Sequence, residues 1–195
     1  SFVKIVGLTI EAGRIAATVV QKQFGKTELL DSFTATYGSV EELTAILKER
    51  ARVWSGGRIV SSLPGNLFTQ RTVTFPFSDR KKIEKALPFE LEDLLPFDLD
   101  DVVLDHLVLS TGSGKTPETK VLAVVLPKAA LRQHLNQLAS AGIDPQAVIP
   151  SFAGLAAVAK MMPSEGNALM VCSRDLCVRK GEAVTALRSL GASAT

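Results

Sequence analysis

The sequence predicts an α/β fold: one lobe of β-meander, helix and strand, interrupted by a small α+β module and followed by the start of a second lobe. Three observations carry this. Residues 2–10, 14–22 and 27–36 are rich in β-branched side chains and are separated by short glycine-containing connections at 11–13 and 24–26, the pattern of antiparallel strands joined by tight turns. Residues 76–99, PFSDRKKIEKALPFELEDLLPFDL, form a charged amphipathic helix between two β-like runs at 67–75 and 102–109. The last third, 168–172, 176–180 and 183–190, repeats the opening meander in outline.

Each element has a local cause. Ser39 precedes a helical stripe of Leu43, Ile46, Leu47 and Val53, and Glu42 stands three residues after it, a capping-box spacing for which Glu41 competes. Gly56-Gly57 ends that helix, and 58–63 reads as a fourth strand, parallel to an earlier one because a helix intervenes. Pro64-Gly65 turns the chain into the module. There Ile83, Ala86, Leu87, Leu91, Leu94 and Leu95 recur at three- and four-residue steps and share one helical face. Pro88 removes a backbone donor and predicts a kink, while Pro96 ends the helix. The continuous apolar run at 120–126 predicts a strand covered on both faces, by which the chain returns to the central sheet. A helix bearing Leu131, Leu135 and Leu138 follows, then a short extended segment at 143–150, a small-residue helix at 152–162 and the second meander. A meander, helix and strand followed by another meander is how duplicated ribonuclease-H-like lobes look in sequence. The expected divisions are 1–65 and 117–162 for the first lobe, 66–110 for the inserted module and 163–195 for the second lobe.

The 195 residues suffice for one large domain or two small ones, and 46% hydrophobic with 22% charged residues excludes wholesale disorder. A net charge of +2 without a long Lys/Arg run gives no basis for nucleic-acid or membrane-surface binding. No apolar run approaches the ~20 residues of a spanning helix. A serine start leaves room for a membrane segment in a longer parent chain.

The residues that invite chemistry lack their partners. Cys172 and Cys177 have no second pair or histidine for a zinc site, and read as buried strand thiols of a reducing compartment. Residues 111–116 contain Gly-Ser-Gly-Lys-Thr, yet the first glycine of a phosphate-binding loop would fall at Leu109, and a strand follows where a helix is needed. That stretch reads as a hairpin loop. His106 and His134 have no evident nucleophile beside them and read as structural or surface histidines. Asp98, Asp100, Asp101 and Asp105 form the one acidic cluster, which could bind a cation but, with Leu99 among them and a strand starting there, reads as a solvated turn.

The module with LLPFDLDDVVLDHLVL, followed by VLAVVLPKAALRQHLNQLASAGIDPQAVIPSFAGLAAVAK, resembles the actin-like proteins of bacterial secretion and pilus machines. These are the cytoplasmic part of type II secretion protein L and the type IV pilus assembly protein M. The resemblance covers nearly the whole chain. Its most specific parts are Leu95-Pro96-Phe97 with the strand at 102–109, and the Ala-Gly-Ile-Asp-Pro turn at 141–145. It implies an actin-like fold.

In actin-like ATPases an Asp-x-Gly turn in the first hairpin handles phosphates and metal, and this chain has Thr9-Ile10-Glu11 there. The second lobe opens with Val171-Cys172-Ser173-Arg174, without that turn. A threonine offers no carboxylate to metal-bound water, and Glu11 adds bulk and negative charge where backbone must approach phosphate. The implied function is therefore a non-catalytic scaffold at the cytoplasmic face of the inner membrane, without a cofactor. It would dock the assembly ATPase and inner-membrane assembly proteins, with a homodimer as a further expectation. The alternative is a nucleotide-binding actin-like ATPase that takes ATP. In the resembling pilus protein a membrane partner's peptide binds where such a module meets the first lobe. Phe75, Phe77, Phe89 and Phe97, four of the nine phenylalanines, cluster at the two helix ends and are the candidate partner-binding residues.

Overall fold

The structure, a computed structural model, describes residues 2–96, 98–112, 118–163 and 165–190. The chain divides into two compact units, the first made of residues 1–64 and 131–151, the second of 65–130 and 152–195.

In the first unit β1 (Val3–Glu11), β2 (Arg14–Gln23) and β3 (Lys26–Thr36) form the expected antiparallel meander. Gly13 turns the first hairpin at φ +75°, in the left-handed region that glycine enters without strain. Helix α1 (Val40–Trp54) follows, and β4 (Arg58–Leu63) pairs in parallel with β1. After α3 (Lys128–Ala139) the segment expected only to be extended becomes β8 (Ala147–Pro150), a fifth strand parallel to β4. The sheet order is β3-β2-β1-β4-β8.

The competition at the start of α1 is resolved by geometry. The Glu42 amide donates to Ser39 Oγ at 3.2 Å, and the Glu42 carboxylate takes the Gly38 amide at 2.6 Å, so Glu42 and not Glu41 closes the cap. Leu43 and Leu47 are buried as expected. Val53 is 49% exposed, and Trp54, at 1%, occupies the core in its place. These side chains meet Val6, Leu8, Ile15, Ala17 and Val19 of the sheet and Leu138, Ala141 and Ile143 at the end of α3.

In the second unit the run at 120–126 does not return to the central sheet. It forms β7 (Thr119–Pro127), the middle strand between β5 (Thr69–Phe75) and β6 (Val102–Thr111), with both pairings antiparallel. The expected coverage of both faces holds. Val121, Ala123 and Val125 point to α2 (Arg80–Glu92), and Leu122 points to α4 (Ser151–Met161). A strand with two apolar faces fits any covered sheet, so its own composition does not choose among them.

Helix α2 continues through Pro88 and stops at Glu92, before Pro96. Ile83, Leu87 and Leu91 are therefore buried to 2% exposure or less, while Leu94, past the last helical turn, is 50% exposed and leaves the expected stripe. Full burial of side chains of this size stabilises by about 1.5–3 kcal/mol each.

The last strands, β9 (Asn167–Cys172), β10 (Asp175–Lys180) and β11 (Ala183–Ser189), form a separate antiparallel sheet. Cys177, Val184 and Leu187 pack with Phe152, Ala156 and Ala159 of α4. A short 3-10 turn, Gly65–Leu67, lies against this sheet. A Cβ on Gly65 would stand 2.7 Å from the Ser189 Cβ, a separation only glycine permits.

Candidate functional site

The three described phenylalanines of the cluster, Phe75, Phe77 and Phe89, do not form one surface. Phe75 ends β5 on its α2-facing side and is 3% exposed, so its ring belongs to the module's own core. Phe77 packs partly against that core, its ring centroid 5.3 Å from that of Phe75. Phe89 is 77% exposed on the outer side of α2. Phe97 lies outside the described residues. The sequence clustering thus contains one core side chain, one partly buried against it and one exposed ring, because helical phase turns Phe89 away from Ile83, Leu87 and Leu91.

At the end of β1, Thr9 Oγ1 and Ser62 Oγ are 2.8 Å apart across the parallel β1/β4 pair, so each hydroxyl has a hydrogen-bond partner. The Glu11 carbonyl accepts from the Tyr37 hydroxyl at 2.5 Å. Among the described residues no group of three or more His, Cys, Asp or Glu side chains is placed to hold a metal ion. Asp98 accepts the Asp100 amide at 2.9 Å and caps the 3-10 turn Leu99–Asp101, a local role for part of the acidic cluster. Residues 113–117, most of the Gly-Ser-Gly-Lys-Thr stretch, lie outside the described residues. Gly112 donates to the Glu118 carbonyl at 2.7 Å on either side of them, between the antiparallel strands β6 and β7.

Two sequence readings are corrected by the geometry. His134 does have a hydroxyl beside it: Nε2 lies 2.7 Å from Ser61 Oγ. Ser61 is fully buried and His134 is 8% exposed, and burial pushes the imidazole pKa below its ordinary value. A neutral imidazole and a sealed hydroxyl can hold β4 to α3, but no substrate reaches them. The signal was present in sequence, since Ser61 alternates with Ile59 and Leu63 on the core side of β4 and His134 stands four residues before Leu138. A polar group at such a position needs a buried partner.

The cysteines also differ from each other. Cys177 is buried and its thiol pKa is raised by burial against the opposing pull of Arg179, whereas Cys172 is exposed at the hairpin end of β9. Strand alternation puts both on one side of their sheet, but only Cys177 lies under α4.

Sequence reasoning missed a cleft in the second unit. About 330 Å³ in volume, it is lined by Leu107, Val108 and Leu109 of β6, Ala156 of α4, and Val184 of β11, among others. Lys160 and Glu182 line it too and are shared with a more polar cleft of about 370 Å³ that reaches Met162 and Arg179. The Arg179 guanidinium is held by the Pro163 carbonyl at 2.6 Å and by the Gly181 carbonyl. Apolar walls with one charge of each sign suit an apolar side chain beside a polar backbone. Its walls come from β6, α4 and β11, which are far apart in the chain, so no local motif marks it.

A family model described as type II secretion system protein L matches residues 35–187. Comparison by sequence alone with curated proteins gives no match. Among solved structures, the chain is similar to the cytoplasmic domain of EpsL, an inner membrane component of the type II secretion system of Vibrio cholerae. Identity there is 20%, with TM-score 0.63, over 96% of this chain and 71% of that one. It is similar to a chain of a PilM-PilN type IV pilus biogenesis complex at 22% identity and TM-score 0.77, over 96% of this chain and 61% of that one. A Bacteroides thetaiotaomicron protein with an actin-like ATPase fold gives TM-score 0.54 at 12% identity, over 96% of this chain and 69% of that one. The fold shared with these chains is actin-like, as expected. The chain spans less than two thirds of the pilus-complex chain it matches.

Proposed function

From a chain that belongs to the type II secretion system protein L family, we propose a non-catalytic scaffold that docks the assembly ATPase and inner-membrane assembly proteins at the cytoplasmic face of the inner membrane. The observation that carries the non-catalytic reading is the end of β1. Where an actin-like ATPase has an acid and a glycine, this chain has Thr9, hydrogen-bonded to Ser62 at 2.8 Å, and Glu11. A threonine hydroxyl brings no negative charge to metal-bound water, and a carboxylate at Glu11 adds like charge where phosphate would approach. Among the described residues no helix is long and apolar enough to cross a membrane, so in this reading any anchoring of the described part is through partners or through other segments.

Partner docking is assigned to the module of 66–110, through Phe77 and Phe89 near the Leu-Pro-Phe elements; Phe75 supports the surface from beneath. Phe89→Ala should weaken capture of the secretion ATPase or the inner-membrane partner with the melting temperature nearly unchanged. Calorimetry with magnesium-ATP and a hydrolysis assay on the same chain should give neither binding nor turnover, and Thr9→Asp with Glu11→Gly should not create turnover. Micromolar ATP binding with hydrolysis would replace the scaffold by the alternative actin-like ATPase.

A further inference from the structure

Arg179 is a buried charge without a counter-ion. It is 3% exposed, and its two terminal nitrogens donate to main-chain carbonyls, Nη2 to Pro163 at 2.6 Å and Nη1 to Gly181. Its Nε–H is also buried and has no hydrogen-bond partner among the described residues, and no carboxylate among them forms an ion pair with it. The residues outside that set carry no acidic side chain. Two carbonyl dipoles offset a full charge only in part, and a cation left so in a desolvated place is costly.

A cleft opens beside this charge. Among the described residues the polar cleft of about 370 Å³ is lined by Lys160, Met162, Arg179 and Glu182, two cations against one anion, so one positive charge is in excess. Glu182 is not tied up by either cation, since no ion pair joins it to Lys160 or Arg179. Lys160 and Glu182 also border the apolar cleft of about 330 Å³, and there Ala153, Ala156 and Ala157 of α4 leave the room that larger side chains would fill. Each volume is within the ~300–1,000 Å³ of small-molecule sites. At Lys160 and Glu182 a cationic end thus meets an apolar trench.

The geometry points to a binding site for a small monocarboxylate with an apolar body, its carboxylate beside Lys160 and Arg179 and its body among β6, α4 and β11. A single negative charge matches the single positive excess, and two carboxylate oxygens suit the Lys160 ammonium and the unpaired Nε–H. A phosphate group, at about −1.5 to −2, would overshoot beside Glu182. The site goes beyond the scaffold reading and does not depend on it. It needs no protein partner, and Thr9 and Glu11 belong to the first unit. Arg179 stands about 13 Å along β10 from Asp175, at the end of the strand away from the 171–174 turn.

Calorimetry of the unmodified chain with octanoate, acetate and octylamine tests it. Octanoate should bind with Kd below about 1 mM, and acetate, without the apolar body, and octylamine, with the opposite charge, should bind at least about tenfold more weakly. Lys160→Gln should weaken octanoate binding about two- to fivefold and Glu182→Gln should tighten it by a similar factor, because both charges are exposed. Ala157→Trp, also at an exposed position, fills the apolar trench and should weaken it at least about tenfold. Melting temperatures without ligand should be nearly unchanged in these three variants, which separates lost binding from lost folding. Arg179→Met should remove the preference for octanoate over octylamine, a readout that a purely structural arginine would leave in place; if this variant does not fold, the opposite shifts at Lys160 and Glu182 decide. No binding of octanoate at millimolar concentration, equal binding of octanoate and octylamine, or shifts of the same sign in the two rim variants would overturn the site. A peptide ending in an apolar residue with a free carboxylate that binds where octanoate does not would assign the cleft to a protein partner instead.

Discussion

Helices α1 and α2 are of similar length, 15 and 13 residues, and each buries three large side chains against a sheet, yet they are specified in opposite ways. Helix α1 opens on a capping box, with Glu41 and Glu42 in its first turn and Arg52 in its last, so local chemistry and the dipole agree. Helix α2 shares a side-chain cap, Asp79 accepting the Lys82 amide, but its first turn is Arg80, Lys81 and Lys82, it closes on acids and it carries Pro88 inside. Local preference argues against it at each of the last three points. What holds it is the cluster of Ile83, Leu87 and Leu91 with Val73, Phe75, Val121, Ala123 and Val125. A helix held by its buried face leaves its outer face free to carry charge for another purpose.

The largest expected effect probes that division between buried and outer faces. Phe75→Ala should lower the stability of the second unit by about 3–5 kcal/mol, while Phe89→Ala should stay within about 0.5 kcal/mol. Denaturant titration of both variants measures it; equal losses would mean that the outer face of α2 is structural after all.

The first unit's core has a weakness the α2 cluster lacks, since that cluster is wholly apolar and His134 belongs to the packing of β4 on α3. Burial depresses the folded-state pKa of His134, so the unfolded chain takes the proton first. The resulting stability is fully present above the unfolded value of about 6.5 and is lost as pH falls from there through the folded value, with a slope of at most about 1.4 kcal/mol per pH unit. His134→Gln should remove that slope from melting curves recorded between about pH 7 and 5. A slope that survives the substitution would place its origin in other groups.

Caps come next. Ser39→Ala removes the acceptor for the Glu42 amide and should cost about 1 kcal/mol. Asp79→Ala, at the start of α2, removes the acceptor for the Lys82 amide at 2.8 Å and also a carboxylate beside the positive helix end. It should cost at least as much, because no other acid stands in that first turn. A smaller loss at Asp79 than at Ser39 would weaken the view that α2 has so little local support.

The smallest effects are of opposite sign in the two helices. Lys81→Glu should stabilise by about 0.3–1 kcal/mol, and Glu41→Lys should destabilise by a similar amount, both shrinking in high salt. Melting temperatures at two ionic strengths read them directly, and a shared sign would remove the contrast in dipole matching.

Several of these features were legible before any coordinates. The opening meander, the Ser39 cap, the parallel β4 and the module helix follow from glycine turns, side-chain hydrogen bonds and apolar spacing, each acting over a few residues. The residue types at Thr9 and Glu11, on which the non-catalytic proposal rests, were equally visible. The partner-site phenylalanines were legible only as a cluster. Helical phase already sets Phe89 opposite the stripe of Ile83, Leu87 and Leu91, but nothing within a few residues of Phe75 says which face of β5 meets a core.

By itself, then, the sequence determined the order and type of most strands and helices, the duplicated meander, and the residue types at Thr9 and Glu11 on which the non-catalytic proposal rests. Hydrogen bonds, caps and periodicities that span one or two turns carry that information. Only the tertiary structure decided that β7 joins β5 and β6, that Ser61 meets His134, that α2 ends before Leu94 can join its buried stripe, and that Leu109, Ala156 and Val184 share a cleft. The physical reason is common to all four. An apolar strand gains nearly the same burial energy from any covered sheet, and a buried polar group accepts any partner of the right geometry. The choice falls to shape and register between segments that are far apart in the chain.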